Sequence, residues 1–118
     1  MKKVIMIGLV ISMMLIVTGL VASTRVPTLA GFEISPNPMQ NHTNIHLEFS
    51  GQCYATVYIE EEGGTIIKHL YSGIVSKNLV LGWNRISDSG IYVPTGAYSV
   101  VVNYQGRYTS TKKTLILK

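Results

Sequence analysis

Beyond Phe32 the water-avoiding side chains recur at every second position, and no stretch of eleven or more residues carries them at helical spacing. Ile45, Leu47 and Phe49 fall on one side of an extended segment whose other side is Asn44, His46 and Glu48. Cys53, Ala55, Val57 and Ile59 alternate in the same way with Tyr54, Thr56 and Tyr58. Leu79, Leu81 and Trp83 keep the period, as do Tyr98, Val100, Val102 and Tyr104. A period of two means that one face of a strand is buried and the other is not.

Breakers separate these runs. Pro36 and Pro38 each fix φ and remove an amide donor, ending any strand through Glu33 and Ile34. Ser50-Gly51, Asp88-Ser89-Gly90, Pro94 with Gly96, and Gln105-Gly106 read as turns, and Glu60, Glu61, Glu62, Gly63 and Gly64 as a polar hairpin. Thr65–Leu70 is expected as a strand, followed by a looser stretch through Ser72, Gly73 and Lys77. Ile91–Val93 is expected to be short and extended, and the segment from Arg107 to Lys118 to be the closing strand, with Leu115 and Leu117 inward. About seven short strands with a turn every eight to twelve residues predict an all-β fold, an immunoglobulin-like sandwich of two antiparallel sheets. An up-and-down barrel is the other arrangement this pattern allows. The expected core is Trp83, Tyr98, Val57, Ile59, Val100 and Val102. Trp83 sits centrally and buries roughly 200 Å², and Tyr98 packs its ring inside while its hydroxyl bonds to a nearby loop backbone.

The first residues are different in kind. Lys2 and Lys3 precede an uncharged stretch, Val4–Ala22, built from Val, Ile, Met, Leu and Ala and broken by Gly8, Ser12, Thr18 and Gly19. That is the build of a secretory signal. Val21 and Ser23 best suit a peptidase that wants small side chains one and three positions before the cut, whereas a cut after Ala22 would put Leu20 at the upstream position. As a helix the stretch rises about 28 Å, near the roughly 30 Å of a bilayer core, so an uncleaved anchor with its lysines in the cytoplasm is the alternative. No cysteine follows the leader, which excludes a lipoprotein anchor there. The expected organisation is residues 1–23 as signal or anchor, 24–31 as linker and 32–118 as the sandwich. The protein is therefore expected to be exported to the periplasm, cell surface or medium, touching membrane only through its N-terminal segment.

Of the net charge of +4, two units belong to Lys2 and Lys3. The remainder is too weak a field to argue for nucleic acid. Arg25, Lys68, Lys77, Arg85, Arg107, Lys112, Lys113 and Lys118 are scattered and read as a solvated surface. The single cysteine, Cys53, forms no internal bridge, so the fold must stand on burial and backbone pairing. Cys53 reads as a small apolar filler at a strand start, with an intermolecular disulfide as the alternative.

The ordered pieces Ile34-Ser35-Pro36-Asn37-Pro38, Val57-Tyr58-Ile59 before Gly63-Gly64, Leu81-Gly82-Trp83-Asn84, Asp88-Ser89-Gly90 and Val93-Pro94-Thr95-Gly96-Ala97-Tyr98 carry a resemblance. From Phe32 to Lys118 the chain resembles the immunoglobulin-like domain of the flagellar hook-capping protein and the related C-terminal sorting domains of type IX secretion substrates. The resemblance implies the sandwich and, as a second functional reading, a freestanding relative of a transport signal. Two positions depart from the family pattern: Asn84 replaces an acidic residue, and Arg85 stands where glycine is usual.

No catalytic constellation is visible. His42 and His46, four apart on a strand, are separated by about 13 Å and cannot chelate together. His69 lies on another strand and is read as solvent-facing. Glu60, Glu61 and Glu62 with Asp88 could offer oxygens to calcium but read as a solvated turn. There is no nucleophile elbow, and no phosphate loop opens a helix. No enzymatic activity, metal or cofactor is expected. Asn41-His42-Thr43 is a glycosylation tripeptide that matters only in a glycosylating source. What is expected is a non-catalytic binding or structural module with a protein partner and an open oligomeric state. Its contact surface would be outward Tyr54, Thr56 and Tyr58 with Ser99, Val101 and Asn103. The first strand, cut short by Pro36 and Pro38, would leave an edge partly open to a partner's strand.

Overall fold

Alternating sequences pair because each strand must satisfy its backbone groups while hiding one row of side chains. The computed structural model describes residues 26–105 and 110–118. They form β1 (Leu29–Ser35), β2 (Thr43–Phe49), β3 (Cys53–Glu61), β4 (Ile66–Val75), β5 (Asn78–Trp83), β6 (Gly96–Tyr104) and β7 (Thr111–Leu117). One sheet runs β1-β2-β5 and the other β4-β3-β6-β7, antiparallel throughout. This is an immunoglobulin-like sandwich, not a closed barrel. The expected signal or anchor at residues 1–23 lies outside the described residues.

The register turns the sequence alternation into a core. Ile34, Ile45 and Leu81 line up across the first sheet, and Ile59 and Val100 across the second. Trp83, Val57, Ile59, Val100, Val102 and Tyr98 are all buried. Trp83 donates its indole N–H to the Ile86 carbonyl at 2.9 Å, so the buried ring leaves no polar atom unpaired. The sheets meet through Phe49 of β2 and Tyr104 of β6, edge to face with centroids 5.4 Å apart. Tyr98 donates its hydroxyl to the Pro94 carbonyl at 2.8 Å, the tyrosine-corner bond expected at the start of this strand. Cys53 is 2% exposed at the first position of β3, and burial raises its thiol pKa. It is the small filler, with no sulfur presented to a second chain.

Several boundaries differ from expectation. Leu29–Gly31, read as linker, already belongs to β1 and pairs with Phe49 and Glu48 across a bulge. β4 continues through Ser72 and Gly73 to Val75, because bulges opposite Val57/Tyr58 and Ile59/Glu60 shift its phase without breaking its pairing. Ile91–Val93 forms no strand; Tyr92 makes a single bridge to Ile86. β7 begins at Thr111, and residues 106–109 lie outside the described set.

β1 is an edge strand ending at Ser35, as expected, and among the described residues its outer side between Gly31 and Ser35 is met only at the Phe32 carbonyl, by Lys113; what was not expected is where the two prolines lead. Both are preceded by cis peptide bonds, and the chain between them crosses to the second sheet. There the Asn37 side chain accepts from the Ile116 amide at 3.0 Å and donates to the Thr114 carbonyl at 2.8 Å. Met39 then pairs with Leu117. The motif thus seals one end of the β7 edge.

Arg85 is the largest correction to the charge reading. It is buried rather than solvated, with φ of 68°, the left-handed conformation for which glycine is usual. Its Nε donates to the Val93 carbonyl at 2.7 Å, and its Nη1 to the carbonyls of Gln40 at 2.8 Å and Lys118 at 2.7 Å. Nη2 reaches the Thr95 hydroxyl at 3.3 Å, and the guanidinium lies 4.7 Å from the centre of the Tyr92 ring. One side chain ties the 85–95 loop to the 36–40 crossover and to the end of β7.

Candidate functional site: the outward face of the four-stranded sheet

On the second sheet the positions out of phase with the core face away from the sandwich. On β3 these are Tyr54, Thr56, Tyr58 and Glu60; on β6, Ser99, Val101 and Asn103. β4 adds Ile74 opposite Tyr54, Ser72 opposite Thr56 and His69 opposite Tyr58. Tyr54 and Ile74 are 48% and 54% exposed, an apolar pair at one margin of the face. The Tyr54 and Ser72 hydroxyls are 2.8 Å apart and share a hydrogen bond. Asn103 donates its amide to the Tyr58 hydroxyl at 3.4 Å and accepts from Ser110. The face is therefore a small, preordered aromatic and amide surface.

Val101 does not belong to it. Although in the outward phase, it is fully buried. It lies on β6 between Tyr58 of β3 and Lys112 of β7, and Lys112 reaches across β6 to Glu60, 2.6 Å away. The lysine stem and the tyrosine ring flank the valine on either side. The Glu60 hydrogen bond, with its charge, raises the Lys112 pKa. Glu60 is itself buried and held by Lys112, unlike the solvated turn residue expected. Two contributors were missed from sequence: Ile74, whose strand phase is hidden by the β4 bulges, and the Lys112–Glu60 bridge, whose partners are 52 residues apart. The unbroken run Val100-Val101-Val102 was the available signal that both faces of β6 are covered.

At the bottom of the face the 84–95 loop returns. Asp88 accepts a 2.6 Å bond from His69 Nδ1 and a further bond from the His69 backbone amide, and lies 3.6 Å from Lys68. The His69 side-chain bond, assisted by its backbone amide and by the charges of His69 and Lys68, outweighs desolvation and holds the Asp88 carboxyl below its ordinary pKa. His69 is exposed, as expected, but paired. Beside it an open groove of roughly 340 Å³ lies between Ile66, Ile67, Ile91, Val93 and Tyr98. His42 and His46 stand on and beside β2, away from His69, and among the described residues no three His, Cys, Asp or Glu side chains converge as metal ligands.

No protein-family model matches the sequence, and no curated protein does. Among solved structures the chain is similar to the dimeric, latent PorU from Porphyromonas gingivalis, with 15% identity and a TM-score of 0.60 over 79% of this chain. It is also similar to PorZ of the same organism, described as an essential bacterial surface component of the type IX secretion system, with 20% identity and a TM-score of 0.55 over 75% of this chain. The matched parts amount to only 9% and 11% of those chains. At such identity the likeness is one of fold: the described residues adopt the immunoglobulin-like sandwich that recurs as a small part of two Porphyromonas proteins.

Proposed function

We propose that this chain is a non-catalytic, extracytoplasmic binding module of the cell envelope or surface that holds a protein partner on the outward face of its four-stranded sheet. The observation that carries the reading is the Tyr54–Ile74 pair beside Tyr58 and Asn103, an exposed apolar margin next to tyrosines already fixed by hydrogen bonds. Tyrosines held in this way bury area on binding at small entropic cost. Thr56 and Ser99 complete the face; Val101 supports it from below. The leader at residues 1–23 and the fold shared with a type IX surface component support an envelope location. The test is site-specific photocrosslinking in native envelopes from positions 54, 74 and 58 of the full chain. A discrete adduct from these positions, and none from the opposite sheet at position 44, is expected. Recovery of monomer alone from all three contradicts the reading.

A second reading is a freestanding relative of a type IX sorting domain. The motif order from Ser35 to Tyr98 and the PorZ likeness favour it. Fusion of residues 26–118, which include all of β1, behind an exported reporter distinguishes the two. Surface delivery of the reporter in a host with type IX secretion supports the sorting reading, and retention in the periplasm refutes it.

A further inference from the structure

A two-sheet sandwich has four edge strands, here β1, β5, β4 and β7, and each exposes a row of backbone donors and acceptors unless something interrupts it. Two are interrupted at several groups, and a third, β1, at one. On β7, Asn37 and Met39 take the groups of Thr114, Ile116 and Lys118. On β4, the Asp88 amide donates to the Ile67 carbonyl, the Asp88 carboxylate accepts from the His69 amide, and the Tyr71 hydroxyl donates to the Ile74 carbonyl at 2.6 Å. On β1, Lys113 donates to the Phe32 carbonyl at 2.6 Å, with its ammonium 5.7 Å from the Phe32 ring centre.

β5 is the exception. The Phe49 amide donates to the Lys77 carbonyl, and with the register Leu47↔Leu79 this assigns the odd-numbered residues of β5 to the ladder with β2. The N–H and C=O groups of Asn78, Val80 and Gly82 therefore point away from the sheet. Among the described residues no side chain or loop bonds to them. The strand Asn78-Leu79-Val80-Leu81-Gly82-Trp83 holds no charge and no proline, and Val80 is the most exposed of the large apolar side chains, at 64%.

We propose that β5 pairs with β5 of a second copy of this chain, antiparallel and centred on Val80, joining two three-stranded sheets into one. The occupant is a second copy because the strand is complementary to itself. About Val80 its order is symmetric, Leu79 facing Leu81 and Asn78 facing Gly82, as a two-fold interface requires. Both half-buried leucines then gain cover on the core side, and Val80 meets its own copy on the outer side. Such a pair makes about six backbone hydrogen bonds. No like charges oppose each other within it. The inference concerns the opposite sheet from the partner face above and does not depend on that reading.

The register is testable by cysteine trapping in the full-length chain, expressed in cells and oxidised, because buried Cys53 does not compete. In an antiparallel hydrogen-bonded pair the Cα atoms are about 5.5 Å apart, within disulfide reach. Val80→Cys is expected to give a disulfide-linked dimer on a non-reducing gel. Asn78→Cys, whose copy would sit about four residues along the partner strand, and Tyr54→Cys on the other sheet are expected to give at least about tenfold less. Equal trapping at all three positions, or none at Val80 in chains whose Trp83 fluorescence is native, overturns the proposal.

Discussion

Replacing Arg85 by alanine probes the tie that sequence reading placed on the surface. The guanidinium makes three charge-assisted bonds to backbone carbonyls and one to a hydroxyl, at 2.7 to 3.3 Å, from a buried position. A hydrogen bond to a charged group contributes about 1.5–3 kcal/mol. The Gln40 and Lys118 carbonyls are only partly buried and regain water when the arginine is removed, so the sum is discounted to about 3–5 kcal/mol. For a domain of this size that lowers the melting temperature by about 12–40 °C. Trp83, the only tryptophan and 1% exposed, reports unfolding by fluorescence in a urea titration. Arg85→Lys keeps the charge but not the fork, and is expected to lose about half as much. Arg85→Gly relieves the left-handed backbone but frees the unfolded chain, and is expected within about 1 kcal/mol of the alanine variant. A glycine variant as stable as the parent would show that the backbone conformation governs this position and would refute the guanidinium argument.

Three further outcomes follow from the geometry. Tyr98→Phe deletes the bond to the Pro94 carbonyl without changing the core ring and should cost about 1 kcal/mol in the same titration. Asn37→Ala removes both bonds that seal the end of β7; a loss of about 1–2 kcal/mol is expected, with faster amide exchange at Ile116 than at Leu115. Because the Asp88 carboxyl is held below its ordinary value, its contribution to stability is fully present above the ordinary carboxylate range and is lost as pH falls through the depressed native value. Asp88→Asn should flatten that acid limb, and an unchanged acid limb would remove Asp88 from the account.

What could be read from sequence was what a half-buried strand forces. β2, β3, β5 and β6 each hide one row of side chains, so Ile45, Val57, Leu81 and Val100 announced their phase, and the tyrosine corner at Tyr98 followed from its place at a strand start. What could not be read depended on partners distant in sequence. β1 begins at Leu29 because β2 offers it a backbone partner, not because Leu29-Ala30-Gly31 alternates. β4 runs on past Leu70 because bulges absorb its lost phase. Arg85 is inside because carbonyls from residues 40, 93 and 118 converge on it. Val101 is lost to the proposed face because Lys112 crosses β6 to Glu60, a contact that no local pattern encodes.

The whole account rests on two sheets facing each other with the outward row of β6 partly roofed, and one nuclear Overhauser spectrum of the folded domain addresses both. Cross-peaks between the rings of Phe49 and Tyr104, and between the Val101 methyls and Tyr58 rather than Trp83, are the predicted result. Absence of the first contact, or Val101 methyls lying against the Trp83 indole, would contradict it.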